Sequence, residues 1–115
     1  MIEKIVIDFI SEALSTDNVY AEQPEEKPET YLLVQKTGGG EENKIASATI
    51  AVQSYAPTLY DAAELNEAVV EAMQDLTDVD AVTLCNLNSD YNFTDTAQKR
   101  YRYQAVFDIF YYRGG

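Results

Sequence analysis

Apolar and polar residues alternate along the C-terminal stretch KRYRYQAVFDIFYYR, from Lys99 to Arg113. Successive side chains of an extended strand point to opposite faces, so this alternation predicts a long β-strand within a sheet. One face is almost continuously apolar and suits a core; it comprises Tyr101, Tyr103, Ala105, Phe107, Ile109 and Tyr111. The other face begins polar and ends aromatic; it comprises Arg102, Gln104, Val106, Asp108, Phe110 and Tyr112.

The second face of this strand is too apolar at Val106, Phe110 and Tyr112 for a simple solvated surface. Either other elements of the chain cover it or a partner chain does, and we favour the partner. All six residues of that face are therefore candidates for a subunit interface.

Two segments have the 3.6-residue apolar spacing of amphipathic helices. The first covers residues 2–14, and polar residues 15–18 break it. The second begins after Pro57, where Thr58 and Asp61 resemble a capping box, and it extends to Leu76.

The remaining apolar segments predict strands. Residues 18–23 form a short strand that Pro24 ends, and residues 30–36, 44–55 and 81–87 form longer ones. Strands 30–36 and 44–55 pair most simply as an antiparallel hairpin, with Ala46, Ala48, Ile50 and Val52 facing the core. Between them we predict a flexible loop, which comprises Thr37, Gly38, Gly39, Gly40, Glu41, Glu42 and Asn43. Residues 88–98 form a polar connection.

The element order α-β-β-β-α-β-β predicts an α+β fold. We expect a two-layer sandwich, with one mixed, mostly antiparallel sheet of four or five strands and both helices on one face. The 115 residues are enough for a single domain, 1–115, with a frayed tail at 114–115.

The net charge makes one class of function, nucleic-acid binding, unfavourable. Twenty acidic against eight basic residues give a net charge of −12, which argues against wrapping nucleic acid. Residues 1–14 lack a signal peptide's continuous apolar core, no stretch is apolar enough to span a membrane, and Cys85 is the single cysteine. We therefore expect a soluble intracellular protein, whose assembly would respond to salt or divalent cations.

No residue pattern indicates catalysis, a metal site or a cofactor. Histidine is absent, and the glycine run 38–40 lacks the Gly-Lys-Ser/Thr ending of a phosphate-binding loop. The acids between Asp75 and Asp90 lack calcium-loop spacing and form a solvated edge, although a weak divalent-ion contact between subunits stays open. The basic cluster Lys99, Arg100 and Arg102 is expected to pair with acids of a neighbouring strand or subunit.

Four stretches together resemble a known family. They are the N-terminal helix leading into Val19–Pro24, the strand Tyr31–Val34 with its glycine-acid loop, the strand Ala48–Tyr55 running into the helix at Asp61–Leu65, and the ending from Tyr91–Asp95 through Arg100–Gln104 to Phe107–Ile109. Over nearly its whole length the chain resembles the small tail-terminator, or tail-completion, proteins of long-tailed bacteriophages and prophages.

This resemblance implies a structural protein of virion assembly, not an enzyme. About six copies would form a ring that caps the tail tube and joins it to the head connector, with DNA passing through unbound. Its partners would be other copies of itself, the tail tube protein and the head connector, and residues 37–43 would dock to tube or connector. The protein would be in the host cytoplasm during assembly and then in the neck of the virion.

One other class stays open on the same fold. A cytosolic adaptor or regulatory module would use the sheet to bind one protein. A ring subunit needs apolar surface on two opposite sides, whereas an adaptor needs one patch.

Overall fold

The computed structural model describes residues 1–95, 97 and 100–113. This part of the chain contains two α-helices, α1 (Ile2–Ala13) and α2 (Leu59–Met73), and a 3₁₀ turn at Leu76–Asp78. Its strands are β1 (Val19–Tyr20), β2 (Tyr31–Glu42), β3 (Ile45–Ala56), β4 (Val82–Asn92) and β5 (Tyr101–Tyr112). The predicted α+β class and element order are confirmed.

The strands form one sheet in the order β1-β2-β3-β5-β4. Neighbouring strands are antiparallel except β1, which pairs with β2 in parallel over two residues. β5 therefore lies inside the sheet, between β3 and β4, as its long alternating pattern predicts.

Both helices cover the same face of the sheet, and the core lies beneath them. Helix α2 packs on β3 and β5, while α1 packs on β2. The Thr58 hydroxyl accepts a hydrogen bond from the Asp61 N–H at 3.1 Å, which confirms the predicted cap of α2. The core contains the residues predicted from the alternation in β3 and β5, among them Ala46, Ala48, Ile50, Val52, Ala105, Phe107 and Ile109.

The prediction of a loop over residues 37–43 is wrong. β2 continues through Glu42, paired with β3, and a two-residue turn at Asn43–Lys44 joins the strands. Both turn residues have positive φ, 53° and 68°, as tight hairpin turns of this twist require. Glycines disfavour a strand by themselves, but the long backbone of β3 supplies partners for all three.

The connection predicted over residues 88–98 is also shorter than expected. β4 extends to Asn92, because β5 offers pairing partners as far back as Tyr103. The predicted tail at 114–115 and Lys99 of the basic cluster lie outside the described residues.

Candidate interaction surface

The sheet face opposite the helices, which we call the open face, carries the predicted interface residues. The alternate residues of β5 from Arg102 to Tyr112 lie on it, beside the matching residues of β3 and β4. The face divides into two halves of different chemistry. One half is at the end where Tyr55 pairs with Arg102, and the other is at the end where Ile45 pairs with Tyr112.

A hydrogen-bonded network of tyrosines and glutamines covers the first half. Gln53 donates to Gln104 at 2.9 Å and accepts from the Tyr55 hydroxyl at 2.9 Å, and Gln104 donates to the Tyr91 hydroxyl. The Tyr31 hydroxyl donates to Gln23 at 2.9 Å, and its ring stacks on Tyr55 with centroids 4.5 Å apart. We call this set the tyrosine–glutamine network: Gln23, Tyr31, Gln53, Tyr55, Tyr91 and Gln104.

Arg102 links Phe93, which follows β4, to this network. Its guanidinium donates to the Tyr55 hydroxyl at 2.9 Å and to the Phe93 carbonyl at 2.6 Å, and it lies 4.5 Å from the Phe93 ring centroid. Arg100 lies over the Tyr31 ring at 5.5 Å. The contacts described for these two arginines are aromatic rings and neutral oxygens, not acids of a neighbouring strand. Pairing of the basic cluster with acids of another subunit stays a prediction.

The second half of the open face is uncovered. Phe110 is 38% exposed and Tyr112 54% exposed, and Leu84 of β4 lies beside Phe110. Ser47 and Gly40 continue the same row toward β2, and they help to line a shallow depression of about 490 Å³. We call the apolar residues here the turn-end patch: Ile45, Leu84, Phe110 and Tyr112.

A second exposed apolar group lies where α2 begins. Leu59 and Tyr101 line one depression together, and Tyr60 beside them is 70% exposed. We call Leu59, Tyr60 and Tyr101 the helix-end patch. The sequence pattern did not single it out, although Leu59 and Tyr60 precede the apolar stripe of α2 that begins at Ala62.

The two patches lie at opposite ends of the molecule. Tyr101 begins β5 and Tyr112 ends it, and eleven strand steps span roughly 35 Å. The longest dimension of the molecule is 44 Å. One copy therefore presents apolar surface in two separate directions.

The six interface candidates differ in how much free surface they offer. Gln104 is buried by the tyrosine–glutamine network and Arg102 is held by its own chain, so neither offers a free surface. Asp108 is half-buried and accepts hydrogen bonds from Thr49 and Asn88. Half-buried Val106 lies between the two halves, and Phe110 and Tyr112 are exposed.

The docking candidates from Thr37 to Asn43 lie in β2 and its turn, next to the turn-end patch. Their backbone is held in the β2–β3 ladder. Glu41 and Glu42 are exposed, and Arg113 lies 3.8 Å from the Glu41 carboxylate.

The described residues contain neither a set of metal ligands nor an activated nucleophile. No group of three or more acidic or cysteine side chains among them converges as a metal-ligand set. Burial raises the pKa of the Cys85 thiol to about 11, so this cysteine is a weak nucleophile. None of the helices described combines the length and apolar character needed to cross a membrane.

Comparison of the chain with models of known protein families and with curated proteins gave no match.

Proposed function

We propose that this chain is the ring-forming tail-terminator protein of a long-tailed bacteriophage or prophage. About six copies close into a ring that caps the finished tail tube and joins it to the head connector. The proposal rests on the sequence resemblance, and one structural observation supports it. Exposed apolar patches lie at two opposite ends of one compact domain.

A closed ring needs a heterologous interface, in which two different surfaces of each copy meet. The turn-end patch and the helix-end patch supply two such surfaces. A single-partner adaptor accounts for only one of them, so the ring is the better explanation of the pair.

The charge supports passage of DNA. With a net charge of −12, the subunit repels phosphates, so a ring of these copies lets duplex DNA slide without holding it. In this proposal the β2–β3 turn and the adjacent Glu41 and Glu42 dock to the tail tube or to the connector.

The test is the mass of the protein in solution, measured by light scattering after size exclusion. Protein concentration, salt and magnesium are varied, and a closed species of about six subunits supports the ring. If the chain stays monomeric, polymerised tail tubes of the same phage are added, and electron microscopy locates the protein. Rings at tube ends support the proposal.

A chain that is monomeric in every condition and does not bind tube ends would contradict the proposal and leave the adaptor. A control variant replaces exposed Glu12 of α1, which belongs to neither patch, with Gln, and it should behave as the unmodified chain does.

A further inference from the structure

Basic side chains border an apolar depression on the helix side of the sheet. It lies between the start of α1 and the end of β5, and its volume is about 320 Å³. Its apolar lining includes Ile2, Ile5 and Tyr111, and its charged lining comprises Lys36, Arg113 and Glu3. We call this site the basic depression. Because Tyr112 of the turn-end patch also lines it, the two surfaces are continuous.

The basic depression differs in charge from the other depressions of the surface. On a chain of net charge −12, its lining carries two basic side chains against one acidic. Four other depressions in the described part of the chain are lined by acidic residues or by no charged residue at all.

The two cations of this lining are only weakly engaged by their own chain. The described residues place no carboxylate within ion-pair distance of Lys36. Arg113 lies 3.8 Å from the Glu41 carboxylate, and both side chains are exposed. Since such an exposed pair contributes little, both cations are available to a carboxylate of another molecule.

The start of α2 has the complementary chemistry. Among the described helical residues, Leu59 and Tyr60 are the large apolar side chains that are exposed. Residues 57–71 carry four acidic side chains and no basic one, and all four are exposed: Asp61, Glu64, Glu67 and Glu71. This segment therefore combines an apolar protrusion with negative charge.

Only another copy can bring this segment to the basic depression. The start of α2 belongs to the helix-end patch, which lies at the opposite end of the molecule from the end of β5. Copies of net charge −12 repel one another, so they meet most favourably where the carboxylates of one approach the cations of the other.

We propose that the start of α2 of one copy docks in the basic depression of the next copy. Leu59 and Tyr60 pack against the apolar lining beside Tyr112. The acidic side chains of α2 face Lys36 and Arg113. This inference rests on the proposed ring and names the two surfaces that build it. Each copy offers one surface to each neighbour, so the contact propagates in one direction and can close.

The test is disulfide trapping between two full-length variants in a Cys85→Ala background. The first variant carries Ala81→Cys, in the lining of the basic depression, and the second carries Ala63→Cys, near the start of α2. They are mixed at low salt in a glutathione redox buffer. We expect the mixed dimer at about tenfold or more over a control mixture, since docking raises the effective concentration of the two thiols. The control pairs the first variant with Ala13→Cys, an exposed position at the far end of α1 from the depression.

Charge reversal tests whether the pairing of acids with cations selects this contact. Lys36→Glu together with Arg113→Glu, added to the first variant, should lower the yield to that of the control mixture. Asp61→Lys together with Glu64→Lys, added to the second variant, should then restore it. Lys27→Glu reverses an exposed basic residue outside the depression and should leave the yield unchanged. Circular dichroism of each variant checks that it is folded.

Three results would overturn the inference. A yield no higher than that of the control mixture means that α2 does not dock there. A yield that charge reversal leaves unchanged means that the cations do not select α2, and a predominance of Ala81→Cys homodimers means that two basic depressions meet symmetrically. Each result leaves the ring itself to be decided by the mass of the unmodified chain and its binding to tube ends. Failure of the docking and failure of the proposed function are therefore separate outcomes.

Discussion

Gly39 of β2 has no room for a side chain. A Cβ atom at this position would lie 2.7 Å from the Ser47 carbonyl oxygen, which is backbone and cannot rotate away. A Cβ atom on Gly40 would meet only the Ser47 hydroxyl, at an ordinary 3.6 Å. Adjacent glycines of the same strand thus differ in what they tolerate.

We expect Gly39→Ala to lower the free energy of unfolding by about 1–3 kcal/mol, because the added methyl group forces β2 away from β3. Gly40→Ala is the matched control and should change it by no more than about 0.5 kcal/mol. Urea denaturation followed by circular dichroism measures both. Equal effects would mean that the close approach at Gly39 does not exist in solution.

The burial of Cys85 predicts slow reaction of its thiol. Burial raises the pKa of its thiol from 9.0 to about 11, and two pKa units lower the thiolate fraction about a hundredfold. We expect a disulfide reagent at pH 8 to label Cys85 far more slowly in the folded chain than in urea. Equal labelling rates would place the thiol in water.

The same shift predicts a pH dependence. A raised folded pKa stabilises the fold below the unfolded value of 9.0, and that stability is lost as the pH rises towards 11. Tyr31, whose pKa is raised mainly by burial and also by Tyr55, adds to the loss above pH 10.

At the scale of elements, the periodicity of apolar residues predicts those strands and helices that bury one face and leave the other open. The alternation in β3 and β5 identifies strands and core side chains, because the helices bury only the face with Ile50 and Phe107. The second half of β2 could not be predicted, since its glycines form a strand only by pairing with β3.

The tyrosine–glutamine network was missed for a related reason. Gln23 and Tyr55 are 32 residues apart and meet only through the strand order.

The tyrosine–glutamine network should matter for stability. We expect Gln53→Ala to lower the free energy of unfolding by about 1–3 kcal/mol, because buried Gln104 and Tyr55 each lose a hydrogen-bond partner. Gln35→Ala, an exposed residue of β2, is the control and should be nearly neutral. Urea denaturation measures both.

A double-mutant cycle with Gln104→Ala tests whether the two glutamines are coupled. An interaction free energy of about 0.5 kcal/mol or more is expected for residues in one hydrogen-bond network. Strict additivity would contradict the bond between them.

On the scale of the whole molecule, the strands differ in how many hydrogen-bonded neighbours enclose them. β3 and β5 have hydrogen-bonded strands on both sides, whereas β4 forms an edge and β1 pairs over only two residues. The two long central strands also lie under α2. β5 is therefore a central strand of the sheet, with a hydrogen-bonded neighbour on each side.

Hydrogen exchange followed by mass spectrometry tests this order. We expect peptides from β3 and β5 to exchange most slowly, and peptides from β1 and β4 to exchange faster, because edge strands open locally at lower cost. Exchange of β5 as fast as that of β4 would contradict the central position of β5. The measurement is made at a dilution where light scattering shows single copies.

The stacked pair Tyr31 and Tyr55 has an optical consequence. The chain has nine tyrosines, four phenylalanines and no tryptophan, so the strongly absorbing tyrosines dominate its near-ultraviolet absorption and emission. Two rings 4.5 Å apart and within 5° of parallel couple their electronic transitions, unlike isolated exposed tyrosines such as Tyr60 and Tyr112. The near-ultraviolet dichroism of the pair therefore reports on the end of the sheet where Tyr55 pairs with Arg102, in a sample that needs no label.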